Sequence, residues 1–128
     1  MIIVSDDGEF RCQDILEFRE VLQRCTEHGR DNEIWCNGDN EEYPCIAILV
    51  SQDRAVVNYF AEEDGAMYVS HGNEQGEGIF KIETKYQVYE VIVEQVIPLK
   101  SALECAEEFF IVQELPPCIQ WEGLIEGI

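Results

Sequence analysis

Basic residues are scarce in this sequence: eight Lys and Arg stand against 27 Asp and Glu, which gives 128 residues a formal net charge of −19. The acids are spread along the chain, with 16 in residues 1–64 and 11 in the remainder. So few bases argue against a nucleic-acid binder, because neutralising phosphates takes clustered Lys and Arg, and they disfavour an anionic membrane surface. This charge suits a chain that attracts a basic macromolecule, or one whose acids only confer solubility.

Long apolar runs are also missing. The longest, Cys45 to Val50, is much too short to span a bilayer, and the first residues lack the basic and apolar segments of a signal peptide. The six cysteines include no Cys-x-x-Cys pair. We therefore expect a cytoplasmic protein with no membrane partner, whose cysteines are reduced and buried rather than joined in disulfides or bound to metal.

Signatures of catalysis are absent as well. The sequence has no Gly-rich phosphate loop, no His-Glu-x-x-His and no Gly-x-Ser-x-Gly, and its only histidines are His28 and His71. We therefore expect no catalytic residues, no metal site and no cofactor. Two alternatives stay open: a Cys–His pair brought together by the fold, and a calcium site in the acidic stretch 37–42, which does not follow EF-hand spacing.

The apolar pattern predicts one domain over residues 1–128 with an α+β fold. Residues 44–51 are apolar on both faces, which predicts a central, covered strand. A helix is expected over 13–28, and a second from the Ser101–Glu104 capping box to Pro116-Pro117. The further strands are expected at 2–4, 34–36, 55–61, 67–70, 79–83, 87–96 and 118–121. Together they predict a mostly antiparallel sheet of about six to eight strands with two helices packed on it.

Several stretches, in order along the chain, resemble the first immunity-protein family (Immunity protein 1) of bacterial polymorphic toxin systems. They are "YPCIAILVSQDRAVVNYF", "YVSHGN", "ALECAEEFF" and "PPCIQWEGL". Each stretch alone is a common structural pattern, whereas the four stretches in this order are specific. The similarity covers residues 33 to 124, with weaker agreement in the first helix.

The resemblance implies a cytosolic antidote without catalytic activity that forms a 1:1 complex with a cognate toxin. In this family the toxin is often a zinc deaminase that attacks cytosine in nucleic acid, and such an enzyme must present a basic groove to its substrate. An acidic protein that fills the groove would compete directly with nucleic acid. The alternatives are an acidic nucleic-acid mimic or adaptor that binds another basic host protein, and a small enzyme.

Three loops, 37–43, 62–65 and 70–73, are the candidate contact sites. The two acidic loops would form a negative rim, and the glycine loop could present a polar group; each could equally be a solvated turn. The predicted toxin-binding residues are Asp39, Glu41, Glu42, Glu62, Glu63, Asp64, His71 and Asn73. Pro44, Gly72 and Trp121, which recur in the family, are predicted to determine the fold. Trp121 is expected to lie in the core or at its rim, although aromatic residues are also common at interfaces.

Overall fold

A computed structural model of the chain describes residues 1–27, 31–65, 67–72 and 78–123. Within these residues it has two helices, α1 (Ile15–Thr26) and α2 (Leu99–Val112). The ten strands are β1 (Ile2–Ser5), β2 (Gly8–Arg11), β3 (Asn32–Asn37), β4 (Cys45–Ser51), β5 (Arg54–Phe60), β6 (Met67–His71), β7 (Ile79–Glu83), β8 (Val88–Ile92), β9 (Ile97–Pro98) and β10 (Gln120–Gly123). The α+β prediction is confirmed.

Eight strands form one antiparallel sheet in the order β2, β1, β3, β4, β5, β6, β10, and β9 pairs with β5 beside β6. β7 and β8 form a separate antiparallel hairpin. β4 lies at the centre of the main sheet, as its apolar sequence predicts, because a strand covered on both faces has no need of polar alternation.

The two helices cover one face of the sheet, and the hairpin covers part of the other. Ile46 and Ile48 of β4 pack in the helix-side core, which contains Phe18 of α1 and Phe109 of α2. Leu49 of β4 points the opposite way and packs in a second cluster with side chains of the hairpin. The alternation of side chains along each strand thus feeds two separate apolar layers.

Strands β6 and β9 pair with the same edge of β5, and Ser70 and Gly72 connect β6 to the residues just before β9. The Ser70 hydroxyl accepts the Val57 N–H at 3.1 Å and donates to the Gln95 carbonyl at 2.7 Å. The Gly72 N–H donates to the Glu94 carbonyl at 2.7 Å, and a Cβ on Gly72 would overlap the carbonyl oxygen of Val96. Part of the predicted glycine loop is therefore structural, and Gly72 is a fold determinant as predicted.

Helix α2 begins differently from the prediction. The Ser101–Glu104 capping box does not form, since the helix starts at Leu99 with Pro98 as its N-cap residue and no side-chain cap. The Leu99 N–H instead donates to the Asp53 carbonyl at 2.8 Å, so a turn of the sheet satisfies the first free donor of the helix.

The end of α2 also corrects the prediction. The helix stops at Val112, before the Pro116-Pro117 pair, because Gln113 takes a left-handed conformation with φ of 51° and bonds back to the Phe109 carbonyl. This is a left-handed C-cap that a residue other than glycine adopts here. The two prolines lie in the connection to β10.

Two strand predictions were incomplete. Strand β2 was missed; it follows β1 through a tight turn in which Gly8 has φ of 125°. The long strand predicted over 87–96 ends at Ile92, where the 3₁₀ turn Val93–Gln95 redirects the chain from the hairpin to β9.

Trp121 lies on the closing strand, as predicted, although that strand begins at Gln120 rather than Cys118. β10 pairs with β6 at the edge of the sheet. The Trp121 indole N–H donates to the Pro116 carbonyl at 2.6 Å, and its ring meets Tyr59 edge-on at 6.2 Å between centroids. The partly buried indole therefore packs against the helix-side core and fixes the segment after the prolines.

All six cysteines are free, and Cys118 alone of the six is exposed. Burial strongly raises the pKa of the Cys36 and Cys105 thiols. Partial desolvation and a hydrogen bond to Glu108 raise the pKa of Cys118 to about 11. The thiols are therefore held in the protonated, unreactive form at neutral pH.

Titration of the thiols with an aromatic disulfide reagent at pH 7.5 should detect one slowly reacting group, Cys118, in the native protein. In denaturant, without reductant, all six should react, because burial and the raised pKa values are lost together. More than one reactive thiol in the native protein, or fewer than six in the unfolded protein, would contradict this assignment.

Gly72→Ala should lower the free energy of unfolding by about 2 kcal/mol, because the added methyl group displaces the Val96 carbonyl. Gly123→Ala is the control, since its Cβ would lie 3.8 Å from the nearest Tyr68 ring atom, an ordinary contact. Urea unfolding of both variants gives the comparison. Equal shifts in the two midpoints would show that the contact at Gly72 is not the cause.

Candidate functional site

The two predicted acidic loops lie at the same end of the main sheet. Cys45, the first residue of β4, pairs with Phe60, the last residue of β5, so loop 38–44 and loop 61–65 leave the sheet side by side. We call this region the acidic end. It brings together six of the eight predicted contact residues: Asp39, Glu41, Glu42, Glu62, Glu63 and Asp64.

The pKa of the Tyr43 phenol is affected by charges in both loops. Desolvation raises its pKa, and the negative charges of Glu63, Glu42 and Asp64 raise it further. Two of these acids belong to one loop and the third to the other. The loops are therefore close enough for their charges to add. The sequence identified them only as two separate turns.

Helix α2 adds to the negative potential of the acidic end. Gln113, the cap that follows the last residue of the helix, approaches loop 38–44, where a Cβ on Gly38 would lie 3.3 Å from Gln113 Oε1. The last turn of the helix contains no basic residue, and Glu114 follows it. The free carbonyls at a helix C-terminus carry partial negative charge, so the helix reinforces the carboxylates.

Asp39 differs from the other five acids because it already has a cationic partner. The N-terminal ammonium of Met1 lies 2.7 Å from Asp39 Oδ1 and also donates to the Cys12 carbonyl at 2.9 Å. The hydrogen bond from this ammonium is the main reason why the pKa of Asp39 is lowered. Asp39 therefore anchors loop 38–44 to the start of β1, although its carboxylate is exposed like those of the other five acids.

His71 lies at the opposite end of the sheet from the acidic end. It is the last residue of β6, about 13 Å along the strand from Met67, which pairs with Phe60. Its exposed ring has Nδ1 3.7 Å from Glu122 Oε2, and it borders a cavity of about 560 Å³ that Arg54 and Cys118 also line. The predicted contact set therefore divides in two, and Asn73 lies outside the described residues.

Beside the acidic end, part of the sheet face opposite the helices presents apolar side chains. The rings of Trp35 and Phe60 stack with centroids 5.7 Å apart and planes 16° apart. Their strands, β3 and β5, are about 9.6 Å apart, so the rings lean together over β4 and bury its small Ala47. We call the group Ile2, Val4, Trp35, Phe60 and Met67 the open face; all five are half-buried or exposed.

The open face was not predicted from the sequence. The strand register places these side chains together, since Ile2 and Val4 of β1 pair with Asn37 and Trp35 of β3. The strands at 34–36 and 55–61 were predicted from the sequence. What could not be read was how far the hairpin extends over the sheet, because that depends on contacts between residues far apart in sequence.

An apolar centre bordered by carboxylates is the anatomy of a protein-binding surface. Among the described residues, no three His, Cys, Asp or Glu side chains converge in a way that could hold a metal ion. No helix in the described ranges is long and apolar enough to cross a bilayer. The acidic end and the open face together suit recognition of a surface that is both basic and apolar.

Asp39→Asn should destabilise the protein at neutral pH, because the ammonium of Met1 loses its charged partner. A carboxylate whose pKa is lowered by folding contributes stability above its unfolded pKa of about 3.9, and this contribution is lost as the pH falls through the folded value. The urea midpoints of the wild type and the variant should therefore converge at low pH. Glu41→Gln, in the same loop, is the control and should change the midpoint little throughout; a gap for Asp39→Asn that persisted at the lowest pH would refute the ion-pair account.

No protein-family model matches this chain, and no curated protein matches it. The family resemblance of the ordered motifs therefore stays a prediction, as do the contact residues.

Proposed function

We propose that this chain is a cytoplasmic immunity protein that binds and neutralises a cognate bacterial toxin in a 1:1 complex. The toxin is a nucleic-acid-targeting deaminase, and the acidic end and open face occlude its basic substrate groove or active site. The observation that carries the proposal is the meeting of two acidic loops at one end of the sheet, directly beside stacked, partly exposed aromatic rings.

The charge of the acidic end supports a basic partner. An enzyme that acts on nucleic acid must line its groove with Lys and Arg, and carboxylates in that groove take the place of phosphates. Five exposed acids and the C-terminus of α2 supply this charge at one place. At physiological ionic strength such attraction acts over about 8 Å, so clustering matters more than the total of −19.

The open face supports a protein partner of defined shape. Opposite charges mainly accelerate encounter, whereas slow dissociation depends on apolar groups that pack and exclude water. Trp35 and Phe60 are aromatic residues of the type enriched in the centre of interfaces. An acidic adaptor for another basic host protein would use the same surface, and the identity of the bound protein distinguishes the two functions.

The direct test is co-expression with the deaminase domain of a toxin encoded beside this gene. The chain should restore growth, co-purify with the domain in a 1:1 complex, and inhibit deamination of a single-stranded oligonucleotide in competition with added substrate. Growth arrest unrelieved by the chain, with no complex formed, would reject the immunity function. A complex with a different basic protein would favour the adaptor.

Reversing Glu42, Glu63 and Asp64 to Lys should slow association with the toxin domain about tenfold at low salt. The association rate should also become less sensitive to salt, because the steering charge has been removed. The control reverses the exposed residues Glu20, Glu94 and Glu104, which lie away from the acidic end and change the net charge equally. Stopped-flow association across a salt series measures both. Equal slowing would mean that only the overall charge matters, and the acidic end would lose its assigned role.

A further inference from the structure

A cleft of about 200 Å³ opens between the β1–β3 side of the sheet and the tip of the β7–β8 hairpin. Its aromatic walls are Trp35, which also belongs to the open face, and Tyr86 and Tyr89 of the hairpin. The carboxylates of Asp6 and Glu33 also line it. The cleft has several times the roughly 30 Å³ that one water molecule occupies in the liquid, so it can admit a planar side-chain group.

Hydrogen bonds hold the walls of this cleft in place. The Lys85 N–H donates to Asp6 Oδ2 at 2.8 Å, and the Glu83 N–H donates to Asp31 Oδ2 at 2.6 Å, so both bonds tie the hairpin to the sheet side. The Trp35 indole N–H donates to Glu33 Oε2 at 2.7 Å and fixes the ring that faces the hairpin. The cleft is therefore formed before any ligand arrives, which lowers the entropic cost of binding.

The carboxylates of the cleft accept hydrogen bonds from uncharged donors. Among the described residues, neither Asp6 nor Glu33 lies within ion-pair distance of a Lys or Arg side chain. Asp6 is only 8% exposed, and its Oδ1 makes no hydrogen bond with the part of the chain that is described. A buried carboxylate oxygen without a donor favours the arrival of one.

The phenol of Tyr89 completes this pattern. Burial raises its pKa to about 12, and its hydrogen bond to Glu33 and the negative charges of Glu33 and Asp6 add to the rise. The phenol is therefore a neutral donor at physiological pH, and it leaves the negative charge of Glu33 uncompensated. Lys85, next to Tyr86 in the chain, places its ammonium 5.5 Å from the centre of the Tyr86 ring, which shows that this ring can accept a cation on its face.

We propose that this cleft receives an arginine side chain from the partner protein. The identity of the partner rests on the proposed function, whereas the affinity for arginine does not. A guanidinium is planar, stacks on aromatic faces and carries five N–H donors, so it can satisfy both the rings and the carboxylates. A phosphate would be repelled, and an uncharged apolar group would bury the carboxylates without a partner. A second copy of this chain carries a net charge of −19 of its own and would be repelled by the carboxylates of the cleft.

The test of the cleft uses N-acetyl-L-argininamide as the probe and N-acetyl-L-citrullinamide as the neutral control of the same shape. In ¹H–¹⁵N spectra the indole N–H signal of Trp35 and the amide signals of Tyr86 and Gln87 should shift with a saturable dependence on the arginine derivative. The citrulline derivative should bind at least about tenfold more weakly, since it lacks the charge. The Trp121 indole signal, on the helix side of the sheet, is the internal control and should stay in place.

Two variants assign the binding to the cleft. Tyr86→Ala should weaken binding of the arginine derivative about threefold, and Glu33→Gln about tenfold. Tyr86 is 76% exposed, so its truncation leaves the fold intact and decides the question if Glu33→Gln disturbs the hairpin. The matched controls are Ile79→Ala, an exposed residue at the other end of the hairpin, and Glu90→Gln on its outer face.

Equal binding of the two derivatives, or shifts confined to the acidic end, would overturn the proposal. So would unchanged affinity of both cleft variants. In the toxin complex, Tyr86→Ala should raise the dissociation rate about threefold with little change in association, and an unchanged rate would show that the partner does not use the cleft. If no toxin binds but the arginine derivative does, the proposed function fails while the arginine site stands.

Discussion

The double burial of β4 is the constraint on which the rest of the structure depends. Ile46, Ile48 and Val50 require cover from the helices, while Leu49 on the other face requires cover from the hairpin. A strand with both faces covered is suited to the interior of the sheet, and β4 lies there with β3 and β5 along its two edges. Its pairing with β5 then determines that the loops before β4 and after β5 emerge together. The acidic end is thus a consequence of the way in which the central strand is buried.

Much of the architecture could be predicted because it is local. The apolar run of β4 and the helical spacing in α1 depend on neighbours a few residues apart, and these elements, like β5, lie close to their predicted bounds. Two of the errors arose where distant residues decide. The start of α2 depends on a bond to the Asp53 carbonyl, and the break after Ile92 depends on the way in which Ser70 and Gly72 contact the 3₁₀ turn.

The candidate site shows the same division. Charge density alone identified the six acids of the acidic end, but it grouped them with His71, which the direction of β6 places at the far end of the sheet. The pairing of Asp39 with the N-terminal ammonium has no sequence signature, since 38 residues separate the partners. Trp35 comes from β3, and Tyr86 and Tyr89 come from the β7–β8 hairpin, so only the tertiary fold brings the three rings to one cleft. Charge could be read from the sequence, whereas the aromatic part of the surface required the register of the strands.

The two outer strands of the main sheet bear on self-association. Within the described residues β2 and β10 end the main sheet, and the free edge of such a strand can template pairing with another copy of the same chain. Glu122 of β10 is exposed, and pairing β10 with its own copy so that the two Glu122 residues face each other would place like charges together. Glu9 and Arg11 of β2 are also exposed, but they carry opposite charges, so an antiparallel copy of β2 could place Glu9 opposite Arg11. At β10, the shortage of bases therefore disfavours growth of the sheet through further copies of this chain.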